Sequence, residues 1–211
     1  MLRKGDLVLF IGDSITDCGR RAEHAPLGNG YVSIFKDLVD VSHPQLRLHI
    51  VNKGISGDTV LGLRERWEDD VINHSPNFIS ILIGINDLHR YLWGEKEYSP
   101  ENYYKAYSEI LDFTRKRLDA QILLLSPFYI SKASELDTFR HKVLKTIPSY
   151  IEKVEKLSTE YSTLYINLHE KFKERLSYIE PEAFAPEPVH PNRKGHILIA
   201  LEIYKLILES P

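Results

Sequence analysis

The sequence predicts a single α/β domain, residues 1–211, built on a five-stranded parallel sheet with helices on both faces. Short apolar runs alternate with longer segments of helical apolar spacing, an alternation typical of strand–helix–strand crossovers. The run 78–83 is almost entirely β-forming and apolar, as in strands that are buried on both faces. The length suits one domain of ordinary size with a substantial core.

Five apolar runs are the predicted strands: 7–11, 46–51, 78–83, 121–125 and 164–168. The predicted helices cover 31–41, 60–73, 100–118, 136–161, 169–176 and 193–208. Three polar residues are the predicted N-caps, because side-chain oxygens satisfy the free N–H groups at a helix start: Thr59, Ser99 and Asn192. Pro148 is expected to bend or interrupt the helix 136–161, since proline lacks the N–H that an inner turn needs.

Composition and charge exclude several classes of partner. The net charge of −3 gives no electrostatic reason to expect nucleic acid or an anionic membrane as a partner. The apolar run 7–11 is too short for a signal-peptide core, and no run approaches a membrane span. Cys18 is the only cysteine, so no internal disulfide can form. These features predict a cytoplasmic location.

Polar or glycine-containing motifs follow the first three predicted strands. Ser14 comes after 7–11, Gly54 after 46–51 and Asn86 after 78–83. Because the carboxyl ends of parallel strands meet at one edge of a sheet, where ligands bind, the three residues are expected to converge there if their strands are neighbours. Gly-Asp-Ser alone is also a common turn, so this argument depends on the residues that join it.

A base and an acid for Ser14 are present near the C-terminus. His190 can take and return the proton of an attacking hydroxyl, and Glu187, three residues earlier, can orient the imidazole. The backbone N–H groups of Ser14 and Gly54 and the side-chain amide of Asn86 are the predicted donors to an oxyanion. Together these groups supply the parts for acyl transfer.

These motifs, in this order, resemble the four blocks of the SGNH (GDSL) hydrolases: 12–16, Gly54, 84–87 and 190–191. The resemblance covers nearly the whole chain. It implies a flavodoxin-like three-layer α/β/α sandwich and a serine esterase that needs neither metal nor cofactor. It assigns the nucleophile to Ser14, the base to His190 and the oxyanion donors to Ser14, Gly54 and Asn86. Three stretches are similar to the branch that includes bacterial xylan acetylesterases: 10–20, 51–57 and 126–130.

Glu187 departs from the family pattern, which has aspartate three residues before the histidine. Glutamate is one methylene longer, so its carboxylate must fold back to reach the same imidazole nitrogen. Serine triads with glutamate occur on other folds. Pro188 and Pro191 restrict the residues before them to extended backbone, which preorganises the segment. The hypothesis is a working Ser-His-Glu triad.

The predicted activity is hydrolysis of short acyl esters, most simply acetyl, on a carbohydrate such as acetylated xylo-oligosaccharides. The ester chemistry follows from the site, whereas acetyl and sugar follow from the branch resemblance, which also makes a homo-oligomer plausible. One alternative is a lysophospholipase or thioesterase, although the charged loops show no apolar groove for a long chain. The other is a carbohydrate-binding homologue impaired in catalysis, to which only the glutamate at 187 points.

Three further residues are candidates for substrate binding: Asp13, Tyr91 and Trp93. Asp13 can instead hold the nucleophile turn by accepting backbone hydrogen bonds. The two aromatic residues follow Asn86 closely and could stack on a sugar ring, but packing of the loop or a subunit contact is the favoured interpretation. No His, Cys or Asp cluster has the spacing of metal ligands, and Cys18 is interpreted as a small buried residue.

Overall fold

Five parallel strands form one sheet in the computed structural model, which describes residues 2–132 and 136–209. The strand order is β2-β1-β3-β4-β5, and the strands are β1 (Leu7–Gly12), β2 (His49–Asn52), β3 (Phe78–Leu82), β4 (Gln121–Leu125) and β5 (Leu164–Ile166). Every residue of β3 is buried, as its continuous β-forming sequence predicts for a central strand. The predicted α/β class is therefore confirmed.

Helices cover both faces of the sheet and complete the predicted three-layer sandwich. They are α1 (Ser14–Asp17), α2 (Tyr31–Ser42), α3 (Val60–Asp70), α4 (Ile85–Leu92), α5 (Pro100–Arg117), α6 (Phe139–Glu160), α7 (Leu168–Leu176) and α8 (Arg193–Tyr204). Helix α2 packs against α8, whereas α3, α5 and α6 pack side by side in sequence order. Because crossovers are right-handed, the change of direction at β1 puts these two groups on opposite faces.

The three predicted N-caps are confirmed. The side chains of Thr59, Ser99 and Asn192 accept hydrogen bonds from the first turns of α3, α5 and α8. Pro148 does not interrupt α6, which continues from Phe139 to Glu160. The lost hydrogen bond is tolerated because residues on both sides of the proline, Ile147 and Tyr150, are fully buried against the core.

Several predicted boundaries are wrong. Strand β2 begins at His49 rather than 46, because Leu46 N–H closes a turn onto the carbonyl of His43. Helix α3 ends at Asp70, and α8 gives way at Lys205 to a wider π-helical turn. The segment after Asn86 was expected to be an aromatic loop, yet it begins with α4, whose Ile85 and Leu88 are buried.

The chain reverses its direction across the sheet between β1 and β3. These neighbours carry Ser14 and Asn86 just beyond their carboxyl ends, with Gly12 paired to Leu82 in the register. Such a switch point leaves a crevice where ligands bind in open α/β sheets. Within the residues described, no helix has the length and apolar character that crossing a membrane requires.

Candidate active site

Ser14 is the first residue of the short helix α1, directly after β1. Asp13 is the N-cap of this helix, and its Oδ1 accepts a hydrogen bond of 3.0 Å from the N–H of Ile15. Asp13 is only 1% exposed, so its carboxylate supports the turn and does not line a surface open to substrate, contrary to the expectation of a binding role. Burial raises the pKa of Asp13 to about 7, against the opposing hydrogen bond from Ile15.

The fold brings Ser14 and His190 together, although they are 176 positions apart in the chain. The distance from Ser14 Oγ to His190 Nε2 is 2.8 Å, which is hydrogen-bonding range. His190 Nδ1 donates to Glu187 Oε1 on its other side. Because an ionised carboxylate only accepts, this bond fixes the imidazole proton on Nδ1 and leaves Nε2 to accept from the Ser14 hydroxyl.

Glu187 reaches the imidazole by folding back over its own loop. Its Oε1 also accepts from the N–H of His190 at 2.8 Å, and its Oε2 accepts from the N–H of Val189 at 3.0 Å. Burial tends to raise the pKa of this carboxyl, but those two N–H groups and the His190 ring outweigh it and hold the pKa below its ordinary value. The extra methylene is thus accommodated within one turn of the loop.

The loop that carries Glu187 and His190 is fixed at both ends. The N–H of Ile130 donates to the carbonyl of Pro188 at 2.8 Å, which ties the loop to the segment after β4. The N–H of Asn192 donates to the carbonyl of Phe184 at 2.7 Å. The side chains of His190 and Glu187 nevertheless stay 57% and 44% exposed, so solvent reaches the pair.

Gly54, a predicted oxyanion donor, has its N–H occupied in this structure. That N–H donates to Asn52 Oδ1 at 2.8 Å. A Cβ at Gly54 would lie 2.3 Å from the backbone nitrogen of Asp17, so the position requires glycine for close packing against α1. The motif glycine is explained by this contact, and an oxyanion could use its N–H only by displacing Asn52.

Gly57 supplies a free N–H three residues later, which the sequence reasoning missed. Among the described residues this N–H has no hydrogen-bond acceptor, and its φ of +80° fits the third position of a turn closed from Asp58 N–H to the carbonyl of Ile55 at 3.1 Å. The triplet Ser-Gly-Asp at 56–58 is typical of a turn and could have predicted this conformation. Sequence alone could not show which of the two glycines keeps its N–H unpaired.

The Gly57 turn is bonded to helix α1 and to Asn86, one of the predicted donors. Ser56 donates from its N–H and its hydroxyl to Asp17 Oδ2 at 3.0 Å, which ties the turn to α1. Asn86 Nδ2 donates to the carbonyl of Asp58 at 2.9 Å, which uses one of its two N–H bonds. The turn is therefore held to α1 through Asp17 and to α4 through Asn86.

Arg66 of α3 links the loops that follow β1 and β2, and no sequence pattern predicts this contact. It donates to the carbonyls of Gly12 at 3.2 Å and Lys53 at 2.8 Å. It also pairs with the carboxylates of Asp58 and Asp70 at 2.7 and 2.6 Å. The Arg66 side chain is only 16% exposed, although it lies among other charged residues of α3. Helical spacing cannot separate one buried arginine from its exposed neighbours.

The two candidate aromatic residues lie in different surroundings. Trp93 is 68% exposed at the end of α4. Tyr91 is two residues earlier, about 200° around the helix axis, and projects from another side. Within residues 2–132 and 136–209, no three His, Cys, Asp or Glu side chains form a group that could hold a metal ion.

Comparison with known proteins places this geometry in a family of hydrolases. The sequence model of the GDSL-like Lipase/Acylhydrolase family matches residues 10–198. An acetylxylan esterase of Geobacillus stearothermophilus is 38% identical in an alignment of 206 positions that covers 93% of this chain and 91% of that protein.

Solved structures give the same result. The crystal structure of Axe2, an acetylxylan esterase from Geobacillus stearothermophilus, has a TM-score of 0.87 at 36% identity and covers 97% of this chain and 94% of its own. An alpha/beta hydrolase enzyme from the metagenome of Lake Arreo, Spain, has a TM-score of 0.86 at 28% identity, with 96% and 95% covered. Variants of Axe2 described as catalytic mutants replace a serine, a histidine or an aspartate by alanine.

Proposed function

Because this chain belongs to the GDSL-like lipase/acylhydrolase family and is a carboxylic ester hydrolase, we propose that it removes acetyl groups from acetylated xylo-oligosaccharides by a Ser14–His190–Glu187 triad. The observation that carries the proposal is the 2.8 Å contact between Ser14 Oγ and His190 Nε2, made across 176 positions of sequence. A surface serine has no need of such a partner. A nucleophile requires one, because a serine hydroxyl is a weak nucleophile until a base takes its proton.

The proposed first half-reaction forms an acyl-enzyme. Ser14 Oγ attacks the acetyl carbonyl carbon while His190 Nε2 takes the hydroxyl proton, and Glu187 stabilises the imidazolium. The carbonyl oxygen becomes an oxyanion that accepts hydrogen bonds from the backbone N–H groups of Ser14 and Gly57 and from the second N–H of the Asn86 side-chain amide. The C–O bond to the sugar then breaks as His190 returns the proton to the departing sugar oxygen.

The second half-reaction uses water in place of the sugar. His190 removes a proton from the water that attacks the acyl carbon, the same three donors hold the second oxyanion, and the bond to Ser14 Oγ breaks. Ser14 recovers its proton from His190 and acetate leaves. In both half-reactions these donors stabilise the transition state, because they already point to the place where the negative charge develops.

The acetyl-sugar substrate is favoured over a long-chain ester by two observations. The relative of 38% identity is an acetylxylan esterase. A cavity of about 700 Å³ between α6 and α7 has apolar walls such as Leu144 and Ile151, but neither the triad nor the oxyanion donors line it. A lysophospholipase or thioesterase would need such a space next to Ser14 to bind its acyl chain.

The test is covalent labelling followed by a comparison of substrates. A fluorophosphonate probe is expected to label the wild type and not Ser14→Ala, with surface variant Ser177→Ala as the labelled control. Rates on nitrophenyl acetate, butyrate and octanoate, and acetate release from acetylated xylo-oligosaccharides, then define the substrate. No labelling would support the carbohydrate-binding alternative, and faster turnover of octanoate would contradict the acetyl assignment. The cytoplasmic location and the homo-oligomer stay predictions.

A further inference from the structure

Two partly exposed aromatic rings from separate helices stack on each other, near the C-terminal end of α4. Trp93 at the end of α4 is 68% exposed, and Phe139 at the start of α6 is 39% exposed. Their ring centroids are 6.1 Å apart and their planes differ by 16°, so the two faces are nearly parallel. Exposed apolar surface of this kind, formed by large rings from two separate helices, commonly marks a binding site.

His89 connects this aromatic pair to the triad. Its ring centroid lies 5.2 Å from that of Phe139 and 5.9 Å from that of Trp93. Its ring centroid also lies 6.2 Å from that of Tyr129, and the next residue, Ile130, donates its N–H to the carbonyl of Pro188 at 2.8 Å, directly after the proposed acid. The pair therefore borders the loop that carries the proposed acid and base.

Helix α4 also sets the distance to the oxyanion donors. Asn86, His89 and Trp93 are spaced i, i+3 and i+7, so they lie along one side of the helix. Seven residues at a rise of 1.5 Å correspond to about 10 Å along the axis. An acetyl group held at Asn86 thus leaves room for its own sugar ring and for a further ring that reaches Trp93.

The chemistry of the pair fits a sugar ring. A pyranose has apolar faces of C–H groups, whose hydrogens are slightly positive, and an aromatic face is the negative side of its quadrupole. The hydroxyls point outward from the sugar's edge and stay in water while the faces stack. A second copy of the chain is the less suitable occupant, because two rings provide about 300–500 Å² and a stable interface needs about 800 Å² on each partner.

We propose that Trp93 and Phe139 form a stacking subsite for a sugar ring beyond the one that carries the scissile ester. The subsite selects acetylated oligosaccharides over single acetylated sugars, since only a longer chain reaches it. The proposal rests on the proposed function and adds a specificity determinant to it. Its basis is the continuity of the exposed pair with Asn86, His89 and the Glu187–His190 loop.

The first experiment compares substrates of different length. The ratio of kcat/KM on an acetylated xylotetraose to that on nitrophenyl acetate is expected to fall about three- to tenfold in Trp93→Ala, the worth of one aromatic stacking contact. Phe139→Ala should give a smaller fall in the same direction, with the loss in KM. Tyr178→Ala, which removes an aromatic ring that is 88% exposed elsewhere, should leave the ratio unchanged.

The second experiment observes Trp93 directly. The chain has two tryptophans, and Trp67 is buried with its indole N–H bonded to Thr114 Oγ1 at 2.8 Å. Titration of Ser14→Ala with acetylated xylotetraose should therefore change the emission of Trp93, and the change should be absent in Ser14→Ala/Trp93→Phe.

The outcomes separate this proposal from the function on which it rests. A wild type that deacetylates xylotetraose, together with an unchanged ratio in Trp93→Ala, overturns the subsite and leaves the esterase assignment intact. A wild type active only on nitrophenyl acetate overturns the proposed function itself. Dissociation of an oligomer by Trp93→Ala at an unchanged ratio, measured by light scattering, would make the pair a subunit contact.

Discussion

Glu187 shows how one residue can depart from a family pattern while its contacts remain usable. Its carboxylate binds two backbone N–H groups of its own loop as well as His190 Nδ1. These bonds hold the longer side chain in a folded conformation that an unrestrained glutamate would rarely adopt. Because the pair is about half exposed, water screens its charge, and the acid is expected to contribute less than a buried one.

Glu187→Gln is expected to lower kcat by about 10²-fold, below the ~10⁴-fold typical of a buried triad acid. The amide cannot fix the proton on Nδ1 as a carboxylate does, but exposure limits the electrostatic loss. Glu187→Asp should retain activity within about tenfold, because it keeps the negative charge although its side chain is one methylene shorter. Steady-state kinetics on nitrophenyl acetate measure both, and equal rates for Glu187→Gln and the wild type would remove Glu187 from the mechanism.

Asn86→Ala is expected to lower kcat by about 10²–10³-fold with little change in KM, because an oxyanion donor acts mainly in the transition state. Asn73→Ala, which changes an exposed asparagine in the short 3-10 turn after α3, serves as the control and should keep full activity. A loss confined to KM would assign Asn86 to ground-state binding instead.

At the scale of elements, the site depends on two loops held together by a residue of α3. Arg66 joins the carbonyl at the end of β1 to the carboxylate of Asp58, whose own carbonyl accepts from Asn86. The guanidinium makes these bonds in several directions at once, which a lysine ammonium on a flexible stem cannot reproduce. Arg66 therefore holds the Gly57 turn in position relative to the end of β1.

Arg66→Ala is expected to destabilise the fold by about 3 kcal/mol, because the largely buried Asp58 carboxylate loses its cationic partner and Asp70 keeps only Lys53. Arg66→Lys should restore most of the stability but not the rate, since the turn is then held less firmly, and the loss should lie in kcat. The matched control is Arg64→Ala, on the same helix as Arg66. Arg64 pairs with Glu109 of α5, and because both side chains are nearly half exposed, this ion pair is worth less than about 1 kcal/mol. Urea unfolding and kinetics of the three variants decide the point; full activity in Arg66→Lys would contradict the positioning role.

At the scale of the whole molecule, two buried acids make stability depend on pH. Asp87 is fully buried at the start of α4 and accepts from the N–H of Val60, which begins α3. Burial raises its pKa to about 8, and that of Asp13 to about 7. The folded chain thus keeps protons that the unfolded chain releases near pH 4, so this contribution to stability is present below pH 4 and is lost as the pH rises through 7 to 8.

Asp87→Asn should stabilise the protein relative to the wild type increasingly as the pH rises from 4 to 8. The amide keeps an acceptor for Val60 but has no charge to bury, and one unit of pKa shift corresponds to about 1.4 kcal/mol. Denaturant unfolding at several pH values measures the difference. The exposed Asp37→Asn is the control, with a constant difference expected, and a constant difference for Asp87→Asn would show that this carboxyl is not protonated in the fold.

The sheet and its helical layers can be predicted from the sequence alone, and the same motifs are the basis for proposing Ser14, His190 and Glu187 as site residues. Apolar runs and polar caps are local patterns, and the four motifs occur in a fixed order, so both can be interpreted without coordinates. Helix α4 is not predicted from the sequence, because it is stabilised by the packing of Ile85 and Leu88 and not by a local pattern.

Which polar groups are free and which are occupied depends on contacts between distant parts of the folded chain. Gly54 and Gly57 look equivalent in sequence, but Asn52 pairs with the first and leaves the second unpaired. Arg66 lies among charged neighbours that face water, and only packing distinguishes it. Trp93 meets Phe139 from another helix 46 positions later in the chain. Hydrogen-bond occupancy, burial and contacts between distant segments depend on how the whole chain packs, so no single segment encodes them.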